Sequence, residues 1–167
     1  NANYVATAAG SYTVVVTVNG CSATSSSINV SVTSNPNAPV LSMINNCGSS
    51  TITATGVTGT LTWSDGGSGN PRTVNAGTYT LTQTSNGCTS ASSNSVTANP
   101  NVIPNAPVLS VINNCGSSTI TATGVTGTLT WSDGGSGNPR TVNAGTYTVT
   151  QTSNGCKSAN SNSVTAN

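Results

Sequence analysis

Thr51-Ile52-Thr53-Ala54-Thr55, Thr60-Leu61-Thr62-Trp63 and Thr78-Tyr79-Thr80-Leu81-Thr82 alternate threonine with apolar residues. A period of two puts Ile52, Ala54, Leu61, Trp63, Tyr79 and Leu81 on one face of an extended chain and threonine on the other, as in half-buried antiparallel strands. The intervening stretches carry turn chemistry: Gly56 to Gly59, Asp65-Gly66-Gly67-Ser68-Gly69-Asn70-Pro71, Asn75-Ala76-Gly77 and Asn86-Gly87. The pattern predicts six or seven short strands per unit and no helix.

The unit repeats. Asn37 to Asn99 recurs as Asn105 to Asn167, 68 residues on, with four differences: Met43/Val111, Leu81/Val149, Thr89/Lys157 and Ser92/Asn160. A diverged copy of the second half stands at the start, where Ala9-Gly10-Ser11-Tyr12-Thr13 and Asn19-Gly20-Cys21 match Ala76-Gly77-Thr78-Tyr79-Thr80 and Asn86-Gly87-Cys88. We therefore expect residues 1–34 to be the C-terminal half of a module, 35–98 and 99–167 to be whole modules, and the chain to be cut from a longer array. A unit of this size with closely spaced turns argues for a compact β-sandwich over a solenoid coil.

Composition narrows the function. Charged residues make up 3% of the chain, the net charge is +1, and there is no His, Glu or Phe. Such a charge balance gives no electrostatic footprint for nucleic acid, and no apolar run is long enough for membrane insertion. Polarity without charge suggests disorder, but the regular alternation argues against it.

The core available to each module is thin: Val40, Leu41, Ile44, Ile52, Val57, Leu61, Trp63, Val74, Tyr79, Leu81 and Val96 nearly exhaust it, so a covalent staple would help. We expect Cys47 to pair with Cys88 and Cys115 with Cys156, each closing a loop of about 42 residues worth roughly 4 kcal/mol in the chain-entropy estimate. The alternatives are free thiols or a zinc site, for which two cysteines, one Asp and no His per module fall short of four ligands. Cys21, the counterpart of Cys88, is expected to find its partner outside this chain. Disulfides imply an oxidising compartment, hence an extracellular or cell-surface location.

Taken together, Cys47-Gly48, Thr51-Ile52-Thr53-Ala54, Trp63-Ser64-Asp65-Gly66, Ala76-Gly77-Thr78-Tyr79-Thr80-Leu81 and Asn86-Gly87-Cys88 form an ordered set. The set resembles the immunoglobulin-like and PKD-like tandem repeats of large surface or secreted proteins of Bacteroidota-type bacteria. The resemblance implies an all-β fold of tandem immunoglobulin-like antiparallel β-sandwich modules, each with one disulfide, and an extracellular strut, adhesin or fibre. The low charge departs from a usual solvated surface and favours packing between modules or chains.

Catalysis is not expected. Acid–base and nucleophilic sets need His, Glu, paired carboxylates or an activated Lys, and each module offers one carboxylate, Asp65 or Asp133. The Asp65 to Asn70 loop has too few oxygen ligands nearby for calcium, and neither a lysine nor a following helix for phosphate. No cofactor and no metal are implied. Trp63, Tyr79, Trp131 and Tyr147 suit sugar stacking, but their alternation with threonine assigns them to the core, with Tyr79 near a corner where its hydroxyl reaches backbone. Asp65 with Arg72, and Asp133 with Arg140, are placed to pair across a turn. Outward threonine rows suit ice binding but are also ordinary exposed strand residues.

Proline-bearing linkers, Ser34 to Pro39 and Asn99 to Pro107, predict semi-rigid connections. Val102 and Ile103 in the second are expected to pack on a neighbouring module or chain. The function these features suggest is a structural repeat segment of an extracellular filament, with copies of itself or neighbouring repeats as partners. The alternative is an adhesin stalk or a module that binds surface glycans.

Overall fold

The computed structural model describes residues 3–167, so the first two residues of the expected 1–34 unit lie outside the described residues. The fold is all-β. In the first full repeat the strands are β5 Val40–Asn45, β6 Ser50–Thr55, β7 Thr60–Trp63, β8 Arg72–Val74, β9 Gly77–Tyr79, β10 Leu81–Ser85, β11 Cys88–Thr89 and β12 Val96–Ala98. These eight exceed the expected six or seven because short pairings such as Ser85↔Cys88 and Thr84↔Thr89 in β10–β11 count separately.

The strands form antiparallel sheets β5-β6-β8 and β7-β10-β11 and a β9-β12 ribbon. Alternation sets what each contributes: Leu41, Ile52, Ala54 and Val74 from the first sheet, Trp63 and Leu81 from the second, Tyr79 and Ala98 from the ribbon, all in one buried cluster. Val40 and Ile44, expected in the core, face outward because Leu41 and Met43 take the inward positions of β5, and Val57 is also exposed, on the loop after β6. The second repeat has the same architecture in β13 Val108–Asn114, β14 Ser117–Thr123, β15 Thr128–Trp131, β16 Arg140–Val142, β17 Gly145–Tyr147, β18 Val149–Ser153, β19 Cys156–Lys157 and β20 Val164–Ala166, around its own core. Each module is an immunoglobulin-like sandwich with a buried strand Trp and a tyrosine corner: the Tyr79 hydroxyl donates to the Asn75 carbonyl at 3.1 Å and Tyr147 to Asn143 at 3.0 Å.

The amino-terminal stretch holds two hairpin-like pairs, β1 Gly10–Tyr12 with β4 Ile28–Val30 and β2 Val15–Val18 with β3 Cys21–Thr24. They match β9, β12, β10 and β11. Most of their apolar side chains, including Val15, Val16, Val18 and Ile28, are exposed, with Tyr12 and Val30 partly covered.

The wealth of Asn and Ser, with the two glutamines, has a structural use. The Asn94 side-chain amide accepts from Leu41 N at 2.7 Å and donates to Leu41 O at 3.0 Å, and Asn70 does the same for Ala54, so each replaces a strand neighbour. Ser93 and Ser90 hydroxyls accept from Leu81 N and Gln83 N. Uncharged side chains thus satisfy backbone groups that short strands leave over, which would be costly if buried unpaired.

Candidate functional site

The two full modules meet at a junction built on the linker after β12. Asn101 is pinned to the β5–β6 loop: its N–H donates to the Asn46 carbonyl at 2.9 Å, and its carbonyl accepts from Gly48 N at 2.8 Å, forming a short parallel bridge beside Cys47. One step earlier, Asn45 Oδ1 accepts from Asn99 N at 3.1 Å. Gly48 sits at φ +76°, and a Cβ there would meet Ile103 Cδ1 at 3.1 Å, so glycine admits both the turn and the isoleucine. Ile103 therefore lies against the preceding module, whereas Val102 is 81% exposed.

On the far side of the linker, Gln151 is fully buried and holds both the linker and its own module. Its Nε2 donates to the Asn105 carbonyl at 2.6 Å and the Gly124 carbonyl at 3.1 Å, while its Oε1 accepts from Thr126 N at 2.6 Å and Gly127 N at 3.0 Å. Gln83 repeats the arrangement on Asn37, Gly56, Thr58 and Gly59. Sequence alternation puts these glutamines on the core face, but nothing in it discloses their partners.

A disulfide crosses this junction. Cys47 is bonded to Cys156, 109 residues away, with Cα atoms 5.5 Å apart, and Cys21, Cys88 and Cys115 are free. The expected pairings, Cys47 with Cys88 and Cys115 with Cys156, are therefore corrected. The reason is position within the sandwich. Cys47 lies on the loop that meets the outgoing linker, whereas Cys88 lies on the β10–β11 hairpin at the incoming side, its sulfur 4.0 Å from the Thr33 carbonyl oxygen. The two cysteines of a module face opposite junctions, so the staple joins modules. Cys21 is exposed on an Asn19-Gly20 hairpin of the same left-handed geometry as Asn154-Gly155.

Trp63, Tyr79, Trp131 and Tyr147 lie in the two cores, between 2% and 9% exposed. Trp63 Nε1 donates to the Gly69 carbonyl at 3.1 Å. Against their edges stands an ion pair. Asp65 receives both guanidinium nitrogens of Arg72 at 2.7 Å, and the guanidinium carbon lies 4.9 Å from the Trp63 ring centre and 5.6 Å from that of Tyr79. The hydrogen bonds from Arg72, then that from Gly67 N, lower the Asp65 pKa from 3.8 to about 2, and Arg140 and Gly135 do the same for Asp133. Among the described residues no cluster of three His, Cys, Asp or Glu side chains is placed to hold a metal. No described helix is long and apolar enough to cross a membrane.

No known protein family matches the chain, and no curated protein does. Among solved structures it is similar to the chicken CNTN1 FN1-FN3 domains, at 13% identity over 79% of this chain and 64% of that one, with a TM-score of 0.26. It is also similar to a multidomain segment of titin, at 14% identity over 95% of this chain and 75% of that one, with a TM-score of 0.23. The chain spans less than two-thirds of the length of the CNTN1 segment. The assignment of the fold rests on the strand pairing, cores and tyrosine corners described above.

Proposed function

We propose that the chain is a non-catalytic structural segment of an extracellular or cell-surface filament, in which repeated sandwiches supply length and rigidity. The observation that carries this reading is the Cys47–Cys156 bond, which reinforces a junction already held by the Asn101 bridge and the Gln151 anchor. A linker meant only as a flexible tether needs none of the three. The disulfide fits an oxidising, extracellular setting.

Association beyond the chain would draw on the outer face. Val40 and Ile44, repeated as Val108 and Ile112, are 59% to 68% exposed on β5 and β13, apolar stripes on a nearly uncharged surface suited to lateral packing with copies of itself. A catalytic reading is disfavoured because each carboxylate is engaged by an arginine and held ionised, a poor base or acid near neutrality. Glycan stacking on Trp63 or Trp131 is disfavoured by their burial, though an adhesin stalk would use the same junction. Electron microscopy of the native material tests the proposal: thin regular filaments are expected, and dispersed monomers would refute it.

A further inference from the structure

The same six residues, Asn-Asn-Cys-Gly-Ser-Ser, occur at 45–50 and 113–118 and fold in two ways. At 113–118 the strands pair to the tip, Asn113↔Ser118 and Asn114↔Ser117, leaving Cys115-Gly116 as a closed two-residue turn with Cys115 exposed. At 45–50 the ladder ends at Asn45↔Ser50 and the tip keeps one bond, from Asn46 N to the Ser49 carbonyl at 2.8 Å; the Asn46 carbonyl is taken instead by Asn101 N, Gly48 N serves the Asn101 carbonyl, and Cys47 is bonded to the hairpin of the next module. One copy gives its Asn46 carbonyl to the linker, and the other stays paired to its tip. The cysteine on the other side of the link is likewise present in a waiting form: Cys88 matches Cys156 and sits beside Thr33, which matches the linker residue Asn101.

From this we infer that the Cys115 loop is a docking site for a following module of the same sequence type, accepting that module's linker as a parallel bridge and its Asn-Gly-Cys hairpin as a disulfide partner. Cys88 is the complementary half, fitted to the Cys-Gly loop of a preceding module. The cysteines then form a staggered ladder, each module bonded to both neighbours and none bonded within itself. In forming each rung two thiols lose two protons and two electrons, and a small disulfide oxidant such as oxidised glutathione takes them up and becomes two thiols. The inference rests on the structural-repeat reading but can fail separately, since filaments without the ladder would still be filaments.

The test uses the full chain and the same chain extended by one further copy of residues 100–167, which keeps the 68-residue period because Asn167 is the counterpart of Asn99; both are oxidised in glutathione buffer, then digested without reduction and mapped. In the extended protein Cys115 is expected to be linked to the Asn-Gly-Cys cysteine of the added copy, with Cys47–Cys156 retained. Alkylation of the native proteins gives a second readout: Cys115 should react in the original chain and be protected at least tenfold in the extended one, with Cys21 reactive in both. A free Cys115 in the extended protein, or one linked to Cys156 of its own module, would overturn the inference. Filaments seen by electron microscopy alongside a free Cys115 would sink the ladder and leave the structural reading standing.

Discussion

Pulled from its two ends, the oxidised chain should stretch far less than its length allows. Tension entering at the amino terminus runs to Cys47, crosses to Cys156 and leaves through Asn167, bypassing everything between the two cysteines. The bypassed stretch is 109 residues. At ~3.6 Å per extended residue it stores roughly 390 Å of contour length, released only when the bond is reduced. Single-molecule force spectroscopy with handles on both termini, before and after a mild reductant, measures the difference directly. Two bonds within modules, Cys47 to Cys88 and Cys115 to Cys156, would together store only about 300 Å by the same ~3.6 Å per residue. A gain near that smaller value, or no gain on reduction, would refute the load path described here.

The other predictions concern how each module holds together. Gln83→Leu leaves Thr58 N and Gly59 N without their acceptor and frees the Asn37 and Gly56 carbonyls; at about 1 to 3 kcal/mol per unpaired buried group, partly offset by water at the exposed loop, the loss should be about 3 kcal/mol in calorimetry. Amide exchange at Thr58 and Gly59 should quicken, and unchanged melting with unchanged exchange would show that the glutamine is idle. Gly59→Ala sets a Cβ against the Thr84 carbonyl and should destabilise by about 1 to 3 kcal/mol in the same assay. The folded-state pKa of Asp65 and Asp133 is depressed, so their contribution is complete above pH 3.8 and fades as pH falls toward 2. Thermal melting should therefore drop over that interval and, in a doubly substituted Asp65→Asn, Asp133→Asn protein, drop less; an identical acid profile would count against the pairs.

Much of the module was legible because burial writes a period of two. Ile52, Ala54, Trp63, Tyr79 and Leu81 alternate with threonine, and the same alternation placed the aromatic rings inward. The Asp65–Arg72 pair was legible too, being nearly the only charges and seven residues apart across a turn. The cysteine partner was not, because a repeat of 68 residues fits Cys47 with Cys88 and Cys47 with Cys156 equally well. Both pairings recur once per module, and only the three-dimensional position of the two hairpins distinguishes them. The amide side chains were illegible for a related reason. Asn70 reads as a turn residue and Asn94 carries no signal of its own, and that they stand in for strands beside Ala54 and Leu41 depends on loops folding back from 16 and 53 residues away. Val102 and Ile103, adjacent and alike in sequence, part company because only Ile103 faces the space above Gly48.

On the structural-repeat reading proposed above, the shortage of charge and the placement of the disulfide answer the same mechanical need. Four of the five charged side chains are locked into two pairs inside modules, and the junction is made of backbone amides, a glutamine, an isoleucine on a glycine and one covalent bond. Salt screens exposed charges over about 8 Å at physiological strength but leaves neutral hydrogen bonds and covalent bonds nearly untouched. A junction of this kind keeps its geometry in fresh or saline water alike, and its weakness is confined to reductants. Hydrogen bonds alone would let neighbouring modules part under load, and a disulfide inside each module would protect the sandwich while leaving the linker to carry the tension. Placing the bond across the junction puts it in parallel with the linker, where a string of modules is otherwise weakest.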